Sequence, residues 1–337
     1  MRAFVLTAPH TATVVDVEPP RAGPDQVVVD MARVGVCGTD QEFYTGEMAY
    51  LADGFASYPI RLGHEWCGTI SAVGDGVDPD LLGRRTTGDT MLGCGTCARC
   101  RSGRHHVCAS RYEIGVRHGW PGALAEQLLV PASALHLLPD AVDDTSGAMV
   151  EPGGNALRAV RAAQLTPGDC VLIAGPGTIG LLAGLFARAA GAQVHLLGTT
   201  TASLEFARTF GFDGVWKAED LPELAWDAVI DATNAPTIPA FALDQVEPGK
   251  RVVYIGVAGS PSTIDTRTLA LKDVTAVGIL GASAGLDGAI AAYADGSVDP
   301  EPLVQATIGL DGLAEAFRGV RPSGAGPGPK LHVDPRG

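Results

Sequence analysis

Cys170-Val171-Leu172-Ile173-Ala174 runs without a charged residue into Gly175-Pro176-Gly177-Thr178-Ile179-Gly180, and an apolar stretch follows to about Ala190. A short apolar run closed by a turn signal reads as a strand buried on both faces, and the longer stretch behind it reads as a helix. Gln193–Leu197, Ala228–Asp231 and Arg251–Ile255 repeat the strand pattern between further helix candidates. Buried strands alternating with helices imply a doubly wound parallel sheet, an α/β architecture. The turn itself fits G-x-G-x-x-G in the context that gives the pattern meaning, after a strand and at the mouth of a helix. The first glycine makes the tight turn, the second lets the backbone approach a pyrophosphate, and the third allows close helix–strand packing. Unpaired N–H groups at the helix start supply positive potential for the phosphates. Gly175, Gly177, Thr178, Ile179 and Gly180 are therefore candidate dinucleotide contacts, joined further along by Gly256, Val257 and Leu280.

Such a local device is needed, because 38 acidic residues against 24 basic ones leave a formal net charge of -14. A field of that sign disfavours nucleic acid and anionic membrane surfaces as partners. The second strand of the region ends in Gly198-Thr199-Thr200-Thr201, with no carboxylate to hold the ribose 2'-hydroxyl of NAD. Gly198 leaves room for a 2'-phosphate, Thr199 and Thr200 offer hydroxyls to it, and Lys217 adds a positive charge. NADP is favoured over NAD, and both remain open; an ordinary strand-end turn is the plain alternative.

Upstream of about residue 152 the texture differs. Short β-like runs, among them Val27–Val29, Gly68–Val73 and Leu128–Val130, are separated by Gly, Pro and Asp. Seven cysteines punctuate the chain, and four of them fall at Cys94-x2-Cys97-x2-Cys100-x7-Cys108. An odd, clustered set does not read as a disulfide framework. Four thiolates in one short lobe, with Gly93, Gly95 and Gly103 to let the loop fold, suit a closed structural zinc site. An iron–sulfur cluster is the competing metal. Cys37, His64 and Glu151, with Glu65 beside the histidine, offer a second set. Three protein ligands plus a displaceable water is the layout of catalytic zinc, with Glu65 as a transient ligand or an outer hydrogen-bond partner. The start of the chain shows no apolar signal segment, and Leu181–Leu197 is interrupted by Arg188 and His195. A cytoplasmic protein is expected.

The Cys37-Gly38-Thr39-Asp40 box, Gly63-His64-Glu65, the four-cysteine lobe, Glu151-Pro152 and the dinucleotide turn, in that order, resemble the zinc-dependent medium-chain dehydrogenase/reductases. The resemblance covers nearly the whole chain. It implies a GroES-like, mostly β catalytic domain from residues 1–153 and 289–337, and a Rossmann domain from residues 154–288. It also implies two zinc ions, one catalytic and one structural, and hydride transfer between a hydroxylated small molecule and NAD(P), with Thr39 taking the hydroxyl proton. Many members carry a histidine relay five residues after the ligand cysteine, where this chain has Glu42. A glutamate there is similar to the sugar (glucose-type) dehydrogenases and suggests a sugar, polyol or cyclitol as substrate, with Glu42 near the metal or substrate. Glu113, His118, Trp120 and Tyr44 would extend a polar, aromatic-edged pocket. An amino-alcohol (threonine-type) or simple secondary-alcohol dehydrogenase is the runner-up, and a non-catalytic dinucleotide-binding sensor is the reading from another class. Members of the family form dimers or tetramers, and Thr275–Leu280 is a candidate edge for such pairing.

Overall fold

The computed structural model describes residues 1–337, which divide into two compact units. The first comprises Met1–Glu151, Val304–Gly326 and Lys330–Gly337; the second comprises Pro152–Leu303 with Pro327–Pro329. The boundary expected at residue 289 falls inside a helix, Leu286–Ala294, and is corrected. That helix stays with the second unit because it closes over a glycine: a Cβ on Gly153 would lie 2.1 Å from the Tyr293 hydroxyl. Tyr293 in turn stacks on Phe186, with ring centroids 6.2 Å apart.

The second unit is built on six parallel strands. Their spatial order is Gly214–Trp216, Gln193–Leu197, Cys170–Ala174, Trp226–Asp231, Val246–Tyr254 and Thr275–Gly278. The strand first in sequence lies third in space, so the chain winds outward in both directions from it, as a Rossmann sheet does. Val171, Leu172 and Ile173 are fully buried, which explains the unbroken apolar run. The helix Thr178–Ala189 buries Leu181, Leu182, Leu185 and Phe186.

The first unit is mostly β. Its main sheet runs Val304–Gly309, Lys330–Asp334, Gln26–Val36, Glu65–Val73, Arg85–Gly88 and Leu135–Leu137, and Gln127–Pro131 also pairs with Gln26–Val36. Only the first of these pairings is parallel. The long strand Gln26–Val36 extends well past the Val27–Val29 run seen in the sequence, and this brings the chain to Cys37 at the sheet's end. Trp66, Phe43, Met31, Leu62 and Leu124 are fully buried at the centre of the core. A helix runs Val150–Ala163, across Glu151-Pro152. Pro152 in its first turn does not prevent this, because the N–H a proline lacks has no intrahelical acceptor there. No helix is long and apolar enough to cross a membrane.

Candidate metal and dinucleotide sites

Cys37 ends the long strand and caps the helix Gly38–Thr45. Its backbone N–H donates to Asp40 Oδ2 at 2.8 Å, so the first helical turn fixes Asp40 pointing inward, fully buried. Asp40 Oδ1 accepts from Gly63 N at 3.4 Å and lies 3.7 Å from His64 Nδ1. The adjoining residue, Glu65, opens the next strand directly opposite Gly35. Only glycine fits there, since a Cβ on Gly35 would lie 2.2 Å from Glu65 Oε2. One ligand atom each from Cys37, His64 and Glu65 lies within 4.8 Å of the others.

Two residues that sequence reasoning passed over hold this group in place. Asp40 faces the histidine, the position from which a carboxylate sets the orientation of a ligand imidazole. Lys330, 3 % exposed, donates to both Glu65 oxygens at 2.8 and 2.7 Å and to the Val36 carbonyl at 3.0 Å. Burial disfavours a charge on His64, but Asp40, then Cys37 and Glu151, outweigh it and raise the imidazole well above its usual pKa. Burial likewise pushes the Asp40 carboxyl up. His64 Nδ1 is buried with no hydrogen-bond partner. A thiol, an imidazole and a carboxylate converging in an acidic, buried setting are the donors a divalent zinc ion takes, and the residues fit it.

The other expected members are placed differently. Glu151, 7 % exposed, sits in the first turn of Val150–Ala163, outside the 4.8 Å group yet close enough to act on His64. Thr39 is half-buried in the same helical turn as Asp40. Glu42 is exposed and outside the donor group. Tyr44 is a core residue rather than a pocket wall, stacked on Phe317 at 5.2 Å. Glu113 is tied down by Arg111 at 2.7 Å and accepts from the Tyr50 hydroxyl at 3.2 Å, so its carboxylate is already engaged. His118 and Trp120 line a pocket that contains none of the zinc-site donors.

The second group is the four-cysteine lobe, which hangs from the short ladder Met91–Leu92 with Tyr112–Glu113. Its sulfurs stand 3.5 Å (Cys97–Cys100), 3.8 Å (Cys97–Cys108) and 3.9 Å (Cys94–Cys100) apart. A tetrahedron with Zn–S bonds of about 2.3 Å has edges of about 3.8 Å, so the lobe fits one ion. Ligation of an iron–sulfur cluster sends each cysteine to a separate corner and would spread the sulfurs apart. Gly93 allows the close approach, because a Cβ there would lie 2.7 Å from Cys100 Sγ. The Thr96 hydroxyl and nearby backbone N–H groups draw the Cys94 thiol down to about 6, while burial pushes Cys100 up to about 11.

In the second unit the glycines stand as the turn requires. Gly175 has φ +95°, a left-handed conformation that favours glycine. A Cβ on Gly180 would lie 1.9 Å from the Gly175 carbonyl, whereas one on Gly177 would meet nothing within 4 Å. Gly177 caps the helix Thr178–Ala189 without a side-chain bond, so the N–H groups of Thr178 and Ile179 open onto that space. This is a cradle that a side chain would fill, and it fits a pyrophosphate. Leu197 pairs with Trp216, and Gly198 N donates to the Trp216 carbonyl at 3.0 Å, which sets Lys217 beside Gly198 at the strand ends. The Thr200 hydroxyl caps the next helix by accepting from Ser203 N, and Thr199 is exposed. Gly256 lines a pocket of about 260 Å³ with Asp231, Thr233 and Tyr254. Val257 and Leu280 are outside that wall and are 79 % and 41 % exposed.

Two family models match. The alcohol dehydrogenase GroES-like domain covers residues 23–140 and the zinc-binding dehydrogenase model covers residues 178–295. An L-threonine 3-dehydrogenase of Idiomarina loihiensis is 32% identical over 280 residues, which is 79% of this chain and 80% of that protein. Among solved structures, a zinc-binding dehydrogenase of Sinorhizobium meliloti 1021 bound to NADP superimposes with a TM-score of 0.89 at 27% identity, over 99% of both chains. Galactitol-1-phosphate dehydrogenase of Escherichia coli does so with a TM-score of 0.87 at 27% identity, over 99% of this chain and 100% of that one. A β unit carrying a thiol–imidazole–carboxylate group, a four-cysteine lobe and a glycine turn on a Rossmann sheet thus agree with these likenesses: the chain belongs to the zinc-dependent medium-chain dehydrogenase/reductases and is an NAD(P)-dependent zinc alcohol/polyol dehydrogenase.

Proposed function

We propose that the protein oxidises a secondary hydroxyl of a sugar, polyol or cyclitol with NADP as the preferred acceptor, using one zinc ion for catalysis and another for structure. The observation that carries the reading is the convergence of Cys37, His64 and Glu65 within 4.8 Å. Zinc bound there supplies Lewis acidity toward the substrate oxygen, and the dinucleotide supplies the hydride acceptor. The chain's own residues do the rest. Cys37 and His64 hold the ion, and Asp40 orients the imidazole. Glu65, gripped from behind by Lys330, shares the third ligand place with Glu151. Thr39, in the turn that carries Asp40, takes the hydroxyl proton. The Thr178 and Ile179 N–H groups bind the pyrophosphate, Gly198 leaves room for the 2'-phosphate, and Thr199, Thr200 and Lys217 bind it. Gly256, Val257 and Leu280 border the remainder of the cofactor.

Cys94, Cys97, Cys100 and Cys108 close around the structural ion and leave no position open for chemistry. None of the seven cysteines is paired in a disulfide, which suits a reducing, cytoplasmic setting. The strand Thr275–Gly278 is outermost in its sheet and mostly exposed, and this supports pairing into a homodimer or homotetramer.

A second reading, oxidation of an amino alcohol of the threonine type, is favoured by the 32% identical threonine dehydrogenase. A panel of sugars, polyols, cyclitols and L-threonine, each run with NAD and with NADP, tests both. Highest kcat/KM on a polyhydroxy substrate with NADP is expected. A higher value on L-threonine would replace the first reading by the second, and preference for NAD would remove the role given to Gly198 and Lys217. Lys217→Ala is expected to weaken NADP use and leave NAD use unchanged.

A further inference from the structure

The first unit contains a pocket of about 510 Å³ apart from the residues assigned to zinc and cofactor. Its walls include Val5, Phe55, Ile60 and Trp120, and Arg61 forms part of its lining. The aromatic side is rigid. Trp120 Nε1 donates to the Leu129 carbonyl at 3.0 Å, its ring meets Tyr112 edge-on at 5.7 Å, and His118 meets Phe55 at 5.6 Å. A wall whose side chains are already fixed loses little entropy when a ligand binds.

Arg61 is unlike the other buried arginines of this unit. Arg111 and Arg117 share Glu113, at 2.7 and 3.9 Å, and Arg33 lies 3.4 Å from Asp334. What sets it apart is that no carboxylate stands within ion-pair distance of Arg61; its Nε, like those of Arg33 and Arg117, is buried without a hydrogen-bond partner. Burial alone acts on the guanidinium and lowers it to about 10, still a cation at neutral pH. An unpaired, largely buried cation is a costly arrangement unless a ligand completes it.

We infer that this pocket binds a small carboxylate with a flat apolar body, the carboxylate on the Arg61 guanidinium and the body between Trp120 and the aliphatic wall. A guanidinium matches a carboxylate with two parallel N–H···O bonds. One cation balances one negative charge, which a carboxylate carries and a phosphate dianion exceeds. The apolar walls reward a hydrocarbon body rather than a polyol, so the ligand differs in class from the substrate proposed above.

Benzoate, its neutral analogue benzamide and inorganic phosphate are the probes, titrated into the zinc-loaded protein and read by tryptophan fluorescence. Binding needs no turnover, so the result stands whether or not the substrate reading holds. Saturable binding of benzoate at or below about 1 mM is expected, with benzamide at least about tenfold weaker. Arg61→Gln is expected to erase that preference, and Trp120→Phe to remove most of the fluorescence change while melting-point stabilisation by benzoate persists. Arg61→Lys keeps the charge but loses the fork, and is expected to retain part of the preference, so the test stands even if the glutamine variant does not fold. Equal binding of benzoate and benzamide, phosphate binding as tight as benzoate, a preference surviving in Arg61→Gln, or loss of benzoate binding in the presence of saturating alcohol substrate would each overturn the assignment.

Discussion

The two candidate metal groups are built by opposite means. The four-cysteine lobe draws its ligands from a span of fifteen residues and is anchored by a short two-stranded ladder and the His105–Asp89 pair. The Cys37–His64–Glu65 group draws on the ends of two long strands and is braced by a lysine 265 residues beyond Glu65. A local cluster is specified by spacing and glycines, so it is autonomous. A dispersed one is specified by sheet register, so anything that shifts the sheet shifts the chemistry.

The largest expected effect breaks the two groups apart in function. His64→Ala should lower hydride transfer by at least about 10³-fold, from loss of several kcal/mol of Lewis-acid stabilisation, and should remove one zinc per chain with the fold intact. Steady-state kinetics with metal analysis on the same samples checks this; a variant that kept its zinc and its rate would dissolve the contrast. Cys100→Ser should do the reverse. It should lose the other zinc and about 4 kcal/mol of stability, seen as a fall in Tm, while the folded fraction keeps its kcat.

Lys330→Met tests the dependence on register. Removing one partner of a buried pair strands a charge, so the variant should lose about 3 kcal/mol in denaturant unfolding. Adding Glu65→Gln should return much of that loss, and a double variant no more stable than the single one would show that the pair is not the cause. The smallest effect concerns the lobe's own brace, His105 Nε2 against Asp89 Oδ2 at 2.6 Å. The Asp89 hydrogen bond raises the His105 pKa above its ordinary value of about 6.5, against partial burial. A raised histidine contributes stability that is full below the unfolded pKa and fades as pH rises through the folded one. Asp89→Asn should therefore cost less than about 1 kcal/mol, with the gap to wild type widest below pH about 6 and closing in mildly alkaline buffer.

What could be read from the sequence follows the same division. Gly175, Gly177 and Gly180 announce their roles because each acts on neighbours a few residues away, and so do the four cysteines. Asp40 was within reach: a residue three positions after a helix cap is placed to bond back to the cap's N–H, and Cys37 to Asp40 has that spacing. The same helix explains Glu42. Two residues along a helix turn the side chain to roughly the opposite face, so if Asp40 points into the core, Glu42 points out. Lys330 gave no signal, because a lysine opening a short strand near the tail looks like any solvated one. Its burial follows only from the insertion of Lys330–Asp334 between Val304–Gly309 and Gln26–Val36.

That insertion sets an order of events during synthesis. Glu65 leaves the ribosome long before the lysine that neutralises it, and the strand that must sit beside Gln26–Val36 arrives after the whole Rossmann unit has been made. The Rossmann unit draws all six of its strands from one continuous segment and is free to close as it emerges. The catalytic unit must wait with an open sheet edge and an unpaired buried carboxylate. The cysteine lobe, by contrast, has all four of its sulfurs in hand before a third of the chain has been made.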